Sequence, residues 1–285
     1  MPIARPSQPS DSSLPSRRRL LAWTTMGAAS LASAALAGCS DSAHAHGAAP
    51  AQDASPSDSF SPAAPVDPQA ASGLPSPAAA SPAAVRTKPV FKVHDLLPNA
   101  PTDAVALTID DGPSPIYTPQ MLALLRKYDI KATFSVVGSE AHAHKDLIRQ
   151  IAADGHTVAN HTMTHPQPFS HRTAAQIEQQ IVDAQSVIVD AGAPAPTLFR
   201  SPGGDWSPTV FATVAKYGMT PIDWDVDPRD WNRPGVPHIT EKLMAAHPGD
   251  ILLCHDGGGD RSQTLDALKT VLPALKAKGL SFVTL

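Results

Sequence analysis

The chain has 285 residues and a formal net charge of -4, which leaves no electrostatic case for nucleic acid or an acidic surface as a partner. Its length would allow one large domain or two small ones, but half of the 30 prolines lie at or before Pro101, so the composition leaves room for one. Only two cysteines are present, Cys39 and Cys254, which excludes a disulfide framework.

In chain order, Arg17-Arg18-Arg19 precedes a moderately apolar run over 20–36. Thr24, Thr25, Ser30 and Ser33 interrupt that run, so it reads as a targeting segment and not as a membrane span. Ser16-Arg17-Arg18-Arg19-Leu20-Leu21 resembles a twin-arginine export signal, with general export as the alternative. Leu36-Ala37-Gly38-Cys39 resembles a bacterial lipobox, which implies that Cys39 carries lipid and anchors an exported protein on the extracytoplasmic side of the envelope. Residues 40–91 are dominated by Ala, Ser, Pro, Asp and Gly, too little apolar bulk to offset ordering entropy, and are expected to be a disordered tether. Residues 92–285 carry all three tyrosines and alternating aliphatic runs, enough chain for one substantial core.

Within this domain, strands and helices are expected to alternate. Residues 104–109 read as a buried strand and 119–128 as a helix whose apolar face is Met121, Leu122, Leu124 and Leu125. Strands at 132–137, 156–159, 197–199, 220–224, 250–254 and 280–283 are separated by helices at 146–153, 173–191, 208–217, 239–246 and 263–278. Thr173 is a candidate N-cap of the longest helix, whose face is Ile177, Ile181, Ala184, Val187 and Ile188. About seven such units predict an α/β fold of the distorted (β/α)7-barrel type, with an open doubly wound sheet as the alternative. In both architectures reactive groups belong in the loops that follow strand ends.

Five polar clusters fall at five such ends. The first strand ends in Asp110-Asp111-Gly112, and the third leads into His161-Thr162-Met163-Thr164-His165. The fourth ends at Arg200-Ser201-Pro202-Gly203-Gly204, the fifth runs to Asp227-Pro228-Arg229-Asp230-Trp231, and the sixth ends at His255-Asp256-Gly257. Adjacent carboxylates raise each other's pKa unless a cation or hydrogen bonds compensate. Two histidines at i, i+4 share a face in a helix or tight turn, and with an acid they make a three-ligand site for Zn²⁺, Co²⁺ or Ni²⁺. The other aspartate is then free to take a proton from the water that such a cation polarises. His255 is a candidate general acid and Gly203 a backbone donor to an oxyanion. Arg200 and Asp227 are placed to orient the base and the acid respectively. Cys254, inside an apolar strand pattern, reads as a small buried residue and not as a nucleophile.

Taken in order, Thr108-Ile109-Asp110-Asp111-Gly112, His161 to His165, Arg200-Ser201-Pro202-Gly203, Asp227 to Trp231 and Leu253-Cys254-His255 resemble the five motifs of the polysaccharide deacetylases. These are the NodB-homology proteins of carbohydrate esterase family 4, and the likeness spans the chain from about Val105 to its end. The resemblance implies Asp110 as catalytic base, with Asp111, His161 and His165 as ligands of one divalent metal, Zn²⁺ first. It implies that Arg200 holds the base, that Gly203 supplies an oxyanion amide, and that Asp227 pairs with the acid His255. Trp231 and Leu253 then line the acetyl pocket. Ile109 stands where a Phe is common and Gly203 where a Tyr is common; the bare glycine is expected to widen the sugar groove.

The implied activity is removal of N-acetyl groups from an amino-sugar polymer, peptidoglycan or chitin-like, by a lipid-anchored monomer. An O-acetyl esterase on xylan-type polymers is the alternative enzyme, and a catalytically silent glycan-binding envelope module the alternative of a different class.

Overall fold

The computed structural model describes residues 85–285. The export signal, Cys39 and the tether up to residue 84 lie outside the described residues. The folded part takes in Val90, two residues ahead of the expected start: Val90 is buried, and its amide donates to Pro221 O at 2.8 Å.

In chain order the elements are α1 (Val93–Leu96), β1 (Ala104–Asp110), α2 (Thr118–Lys127), β2 (Thr133–Val136), α3 (Gly138–Ala143), α4 (Lys145–Ala153) and β3 (Thr157–Asn160). They continue with α5 (Ala174–Asp190), β4 (Leu198–Phe199), α6 (Pro208–Lys216), β5 (Thr220–Pro221), α7 (Val236–Met244), β6 (Ile251–His255), α8 (Ser262–Ala277) and β7 (Ser281–Val283). The expected alternation is present. Thr173 caps α5 in a full capping box, accepting from the Gln176 amide while the Gln176 side chain accepts from the Thr173 amide.

All strands are parallel, in the order β5-β4-β3-β2-β1-β6, with β7 also paired to β1. The sheet curls until the segment after β5 meets β6, where Val226 bridges Leu252 and Leu253 N donates to Val226 O at 2.9 Å. This is the curled (β/α)7-type arrangement and not an open doubly wound sheet.

Every residue of β1 is buried, as expected of a strand covered on both faces. The two-residue period of a strand then sorts its side chains. Val105, Leu107 and Ile109 join the large outer core under the helices, with Phe134, Leu125, Ile151, Leu268 and Val271. Ala104 and Ala106 join a smaller inner cluster with Ala159, Leu198, Ile222 and Ile251. Continuing the inner register upward gives Thr108 and Asp110 on β1, His161 after β3, Arg200 after β4, and Leu253 and His255 on β6. The inside of the curled sheet is therefore apolar at the strand starts and becomes chemically reactive at the strand ends. Pairing of Asp110 with Ser135 and with His255 sets those ends at one level.

Candidate active site

Asp110 closes β1, with 2% of its surface exposed. Its Oδ1 accepts from Arg200 Nη1 at 2.7 Å. Arg200 is fully buried and also donates to Thr108 Oγ1 at 2.8 Å and to Asp223 O at 2.9 Å, with Trp224 over its guanidinium. Thr108 passes the chain of bonds on, donating to Leu252 O at 2.7 Å. A buried arginine on a buried carboxylate compensates its charge and fixes it in direction.

Asp111 faces elsewhere because its backbone turns into the left-handed region, φ 72. Its Oδ1 lies 3.5 Å from His161 Nε2 and 3.3 Å from His165 Nε2. The histidine pair is held by a turn and not a helix: Thr162 and His165 also have positive φ, 68 and 52. Asn160 Oδ1 accepts from Thr162 N at 2.9 Å, and Thr162 Oγ1 accepts from His165 N at 3.0 Å. Non-glycine residues occupy this region at a cost, so three such positions in two short loops mark strain concentrated at the site. His161 Nδ1 lies 2.7 Å from Arg200 O, which assigns the proton to Nδ1 and leaves Nε2 as a lone-pair donor.

These residues fit a cation. Asp111 Oδ1 is buried without a hydrogen-bond partner, and Asp111, His161 and His165 offer ligand atoms within 4.8 Å of one another. Ligand bonds of about 2.0–2.1 Å in tetrahedral geometry separate donors by roughly 3.3 Å, close to the spacings seen. Burial opposes ionisation of Asp111, but His161, His255 and His165 hold its carboxyl well below the usual range.

His255, at the end of β6, pairs with Asp230: Nδ1 to Oδ1 is 2.7 Å. Asp230 is 1% exposed, and its Oδ2 accepts from His255 N at 2.9 Å and from Thr264 Oγ1 at 2.8 Å. The expected partner, Asp227, does not pair with His255. Its Oδ1 instead caps Arg229 N at 2.7 Å, closing a turn in which Arg229 is left-handed, while its side chain lines the cavity. Both acids belong to one short loop after β5, and only burial under His255 distinguishes them. Burial lowers the His255 pKa, but the Asp230 hydrogen bond and charge outweigh it and raise the value; Asp230 is in turn held low by His255 against the effect of its own burial.

The cavity between these groups has a volume of about 750 Å³ and is lined by Asp110, Asp111, His161, His165, Gly203 and His255, among others. Leu253 lines it as a buried residue, whereas Trp231 lines it with 52% of its surface exposed. Gly203 has φ 63, and a Cβ there would lie 3.0 Å from Gln167 Nε2. The bare position is thus partly filled by a side chain from a neighbouring loop. Trp224, Gln167 and Arg261 also line the cavity. Arg261 is 3% exposed and ties Gly257 O to Trp231 O, at 2.6 and 3.3 Å. Trp206, by contrast, is packed between Phe199 and Phe211, with its indole N–H on Asp223. Cys254 is fully buried and its thiol is pushed up by that burial. His142 and His144 line a separate shallow recess.

A curled parallel sheet with an arginine-held aspartate, an Asp–His–His cluster and a histidine–aspartate pair at its strand ends defines a class, and the comparisons agree with it. Residues 98–222 match the polysaccharide deacetylases, and the chain belongs to that family. It is 43% identical over 183 residues to a peptidoglycan-N-acetylglucosamine deacetylase of Bacillus cereus, covering 63% of this chain and 85% of the relative. It is also 43% identical over 191 residues to a chitooligosaccharide deacetylase of Bradyrhizobium, covering 62% of this chain and 87% of the relative. Among solved structures, the Bc1960 peptidoglycan N-acetylglucosamine deacetylase superposes with a TM-score of 0.63 at 30% identity, covering 69% of this chain and 90% of that one. A family 4 carbohydrate esterase from Streptomyces lividans gives 0.60 at 36% identity, covering 63% and 91%.

Proposed function

We propose that this protein is a metal-dependent hydrolase that removes N-acetyl groups from an amino-sugar polymer, peptidoglycan or chitin-like. The observation that carries the reading is the convergence on one cavity of Asp110 with Arg200, Asp111 with two histidines, and His255 with Asp230. A Zn²⁺, Co²⁺ or Ni²⁺ ion held by Asp111, His161 and His165 would polarise the acetyl carbonyl and lower the pKa of the attacking water.

The chain's own groups supply the rest. Asp110 takes the proton from the water as the water oxygen bonds to the carbonyl carbon, and Arg200 keeps that carboxylate aimed. The Gly203 N–H donates to the oxygen that becomes negative. His255, protonated, gives its proton to the sugar nitrogen as the C–N bond breaks, releasing acetate and a free amine. Asp230 holds His255 through Nδ1, so Nε2 is the atom presented to the cavity. Leu253 and Trp231 flank the acetyl group, and the exposed Trp231 face is open to a sugar ring.

The same machinery serves an ester, so acetylxylan is the competing substrate. One assay tests both: acetate release from N-acetylglucosamine oligomers, peptidoglycan and acetylxylan, with chelator and with added Zn²⁺, Co²⁺ or Ni²⁺. Release from the amino-sugar substrates that chelator abolishes and metal restores is the expected outcome. Release only from acetylxylan would replace the N-acetyl assignment, and release from none would leave a silent glycan-binding module.

The lipobox-like Leu36-Ala37-Gly38-Cys39 supports anchoring in the cell envelope on the extracytoplasmic side. Cys39→Ala is expected to move the protein out of the membrane fraction; retention there would overturn the anchor.

A further inference from the structure

Asp256 is a buried acid that the chemistry above does not use. It is 0% exposed, and its Oδ1 has no hydrogen-bond partner among the described residues. Its Oδ2 accepts from Thr118 Oγ1 at 2.5 Å. Thr118 is itself fully buried at the start of α2, and its hydroxyl accepts from Ser114 N at 2.7 Å, so its proton is directed at Asp256. An acid placed beside Asp110 and Asp111 is a costly way to fill space.

What it touches is the turn that carries the site. A Cβ on Gly112 would lie 2.2 Å from Asp256 Oδ1, so the carboxyl sits directly against the Gly112 backbone. The amides of Asp256 and Gly257 both point at Asp110 O, at 3.1 and 3.4 Å. A Cβ on Gly257 would lie 1.9 Å from Asp111 O. The loop after β6 therefore backs the Asp110-Asp111-Gly112 turn along its whole length, and Thr118 locks the backing loop to α2.

We propose that the Thr118–Asp256 pair is a positioning latch that holds Asp111 in its left-handed conformation and so presents its carboxylate to the cation. The proposal rests on the metal-site reading above and concerns ligand placement, not proton transfer. Asp256 and Thr118 touch neither substrate nor metal; they act through the Gly112 turn.

The test is Co²⁺ binding to the full chain, read by calorimetry and by the visible absorption of the bound ion, with folding followed by circular dichroism and the Tm of the metal-free protein. Thr118→Val keeps the shape and removes the hydroxyl. It is expected to weaken Co²⁺ binding by about 10-fold or more and to change the absorption band, in line with the effect of groups that orient metal ligands. Asp256→Ala should do the same, while Thr118→Ser and Asp256→Asn, which keep the hydroxyl or its acceptor, should restore binding to within about 3-fold. Should Asp256→Ala fail to fold, Thr118→Val decides. A folded Thr118→Val protein with the parent's Co²⁺ affinity and spectrum, whatever its Tm, would overturn the latch. A parent chain that binds no Co²⁺ would instead overturn the metal site on which it rests.

Discussion

Oδ1 of Asp230 lies 2.7 Å from Nδ1 of His255, while the other oxygen of the same carboxylate takes the His255 amide and the Thr264 hydroxyl. One acid thus fixes both the ring and the backbone of the proposed proton donor. Asp230→Asn is expected to lower kcat by about 10²–10⁴-fold, the range for general acid catalysis. The alkaline limb of the pH–rate profile should move to lower pH, because Asp230 raises the His255 pKa and its removal lets the ring deprotonate sooner. Asp227→Asn, which alters a turn cap and the cavity lining, should leave that limb in place. A shifted limb in Asp227→Asn and not in Asp230→Asn would reverse the assignment.

The neighbouring aspartates should separate cleanly. Asp110→Asn is expected to bind Co²⁺ or Zn²⁺ and to lose turnover by about 10²-fold or more. His161→Ala should lose the ion itself, measured by metal content after dialysis. Full activity in Asp110→Asn would remove it from the role of base.

Arg200 and Asp110 form a pair sealed from solvent. Removing one partner leaves the other charge buried, so Arg200→Met should destabilise the fold by about 3–5 kcal/mol in denaturant unfolding. The double variant Arg200→Met, Asp110→Asn should recover part of that loss, since no uncompensated charge remains. A loss no smaller in the double variant would show that the pair is not coupled.

His156, far from the cavity, predicts the acid limit of stability. It is 7% exposed, its Nδ1 accepts from Ala132 N at 3.1 Å, and its Nε2 has no partner. Burial, helped by Lys131, pushes its pKa down from 6.5 to about 4. The folded state resists protonation of His156 and the unfolded chain does not, so the contribution of His156 to stability is full above pH 6.5 and falls as pH drops toward 4. His156→Gln keeps an acceptor for Ala132 N without titrating, and its Tm should fall less steeply than the parent's across that interval. Parallel Tm–pH curves would remove His156 as the cause.

Strand ends were the legible part of this chain. Once 104–109 is read as a strand, the two-residue period already divides Val105, Leu107 and Ile109 from Ala104, Ala106, Thr108 and Asp110, and the structure keeps that division. Other features depend on contacts no local pattern carries. Asp227 and Asp230 are chemically equal until His255 is placed over one of them. The histidine spacing suits a helix or a turn equally, and the backbone follows the turn, with Thr162 and His165 left-handed. α3 was missed because six residues, Gly138–Ala143, are too few to show a helical period. Asp256 stood in plain view beside His255, but nothing local connects it to Thr118.

The left-handed backbone at Asp111, Thr162 and His165 sets ligand placement against backbone strain. Glycine would relax each of them, recovering roughly 1 kcal/mol apiece. At Asp111 and His165 it would also delete a proposed ligand. A screen for heat resistance that also demands metal binding should therefore leave the strained backbone at Asp111 and His165 in place.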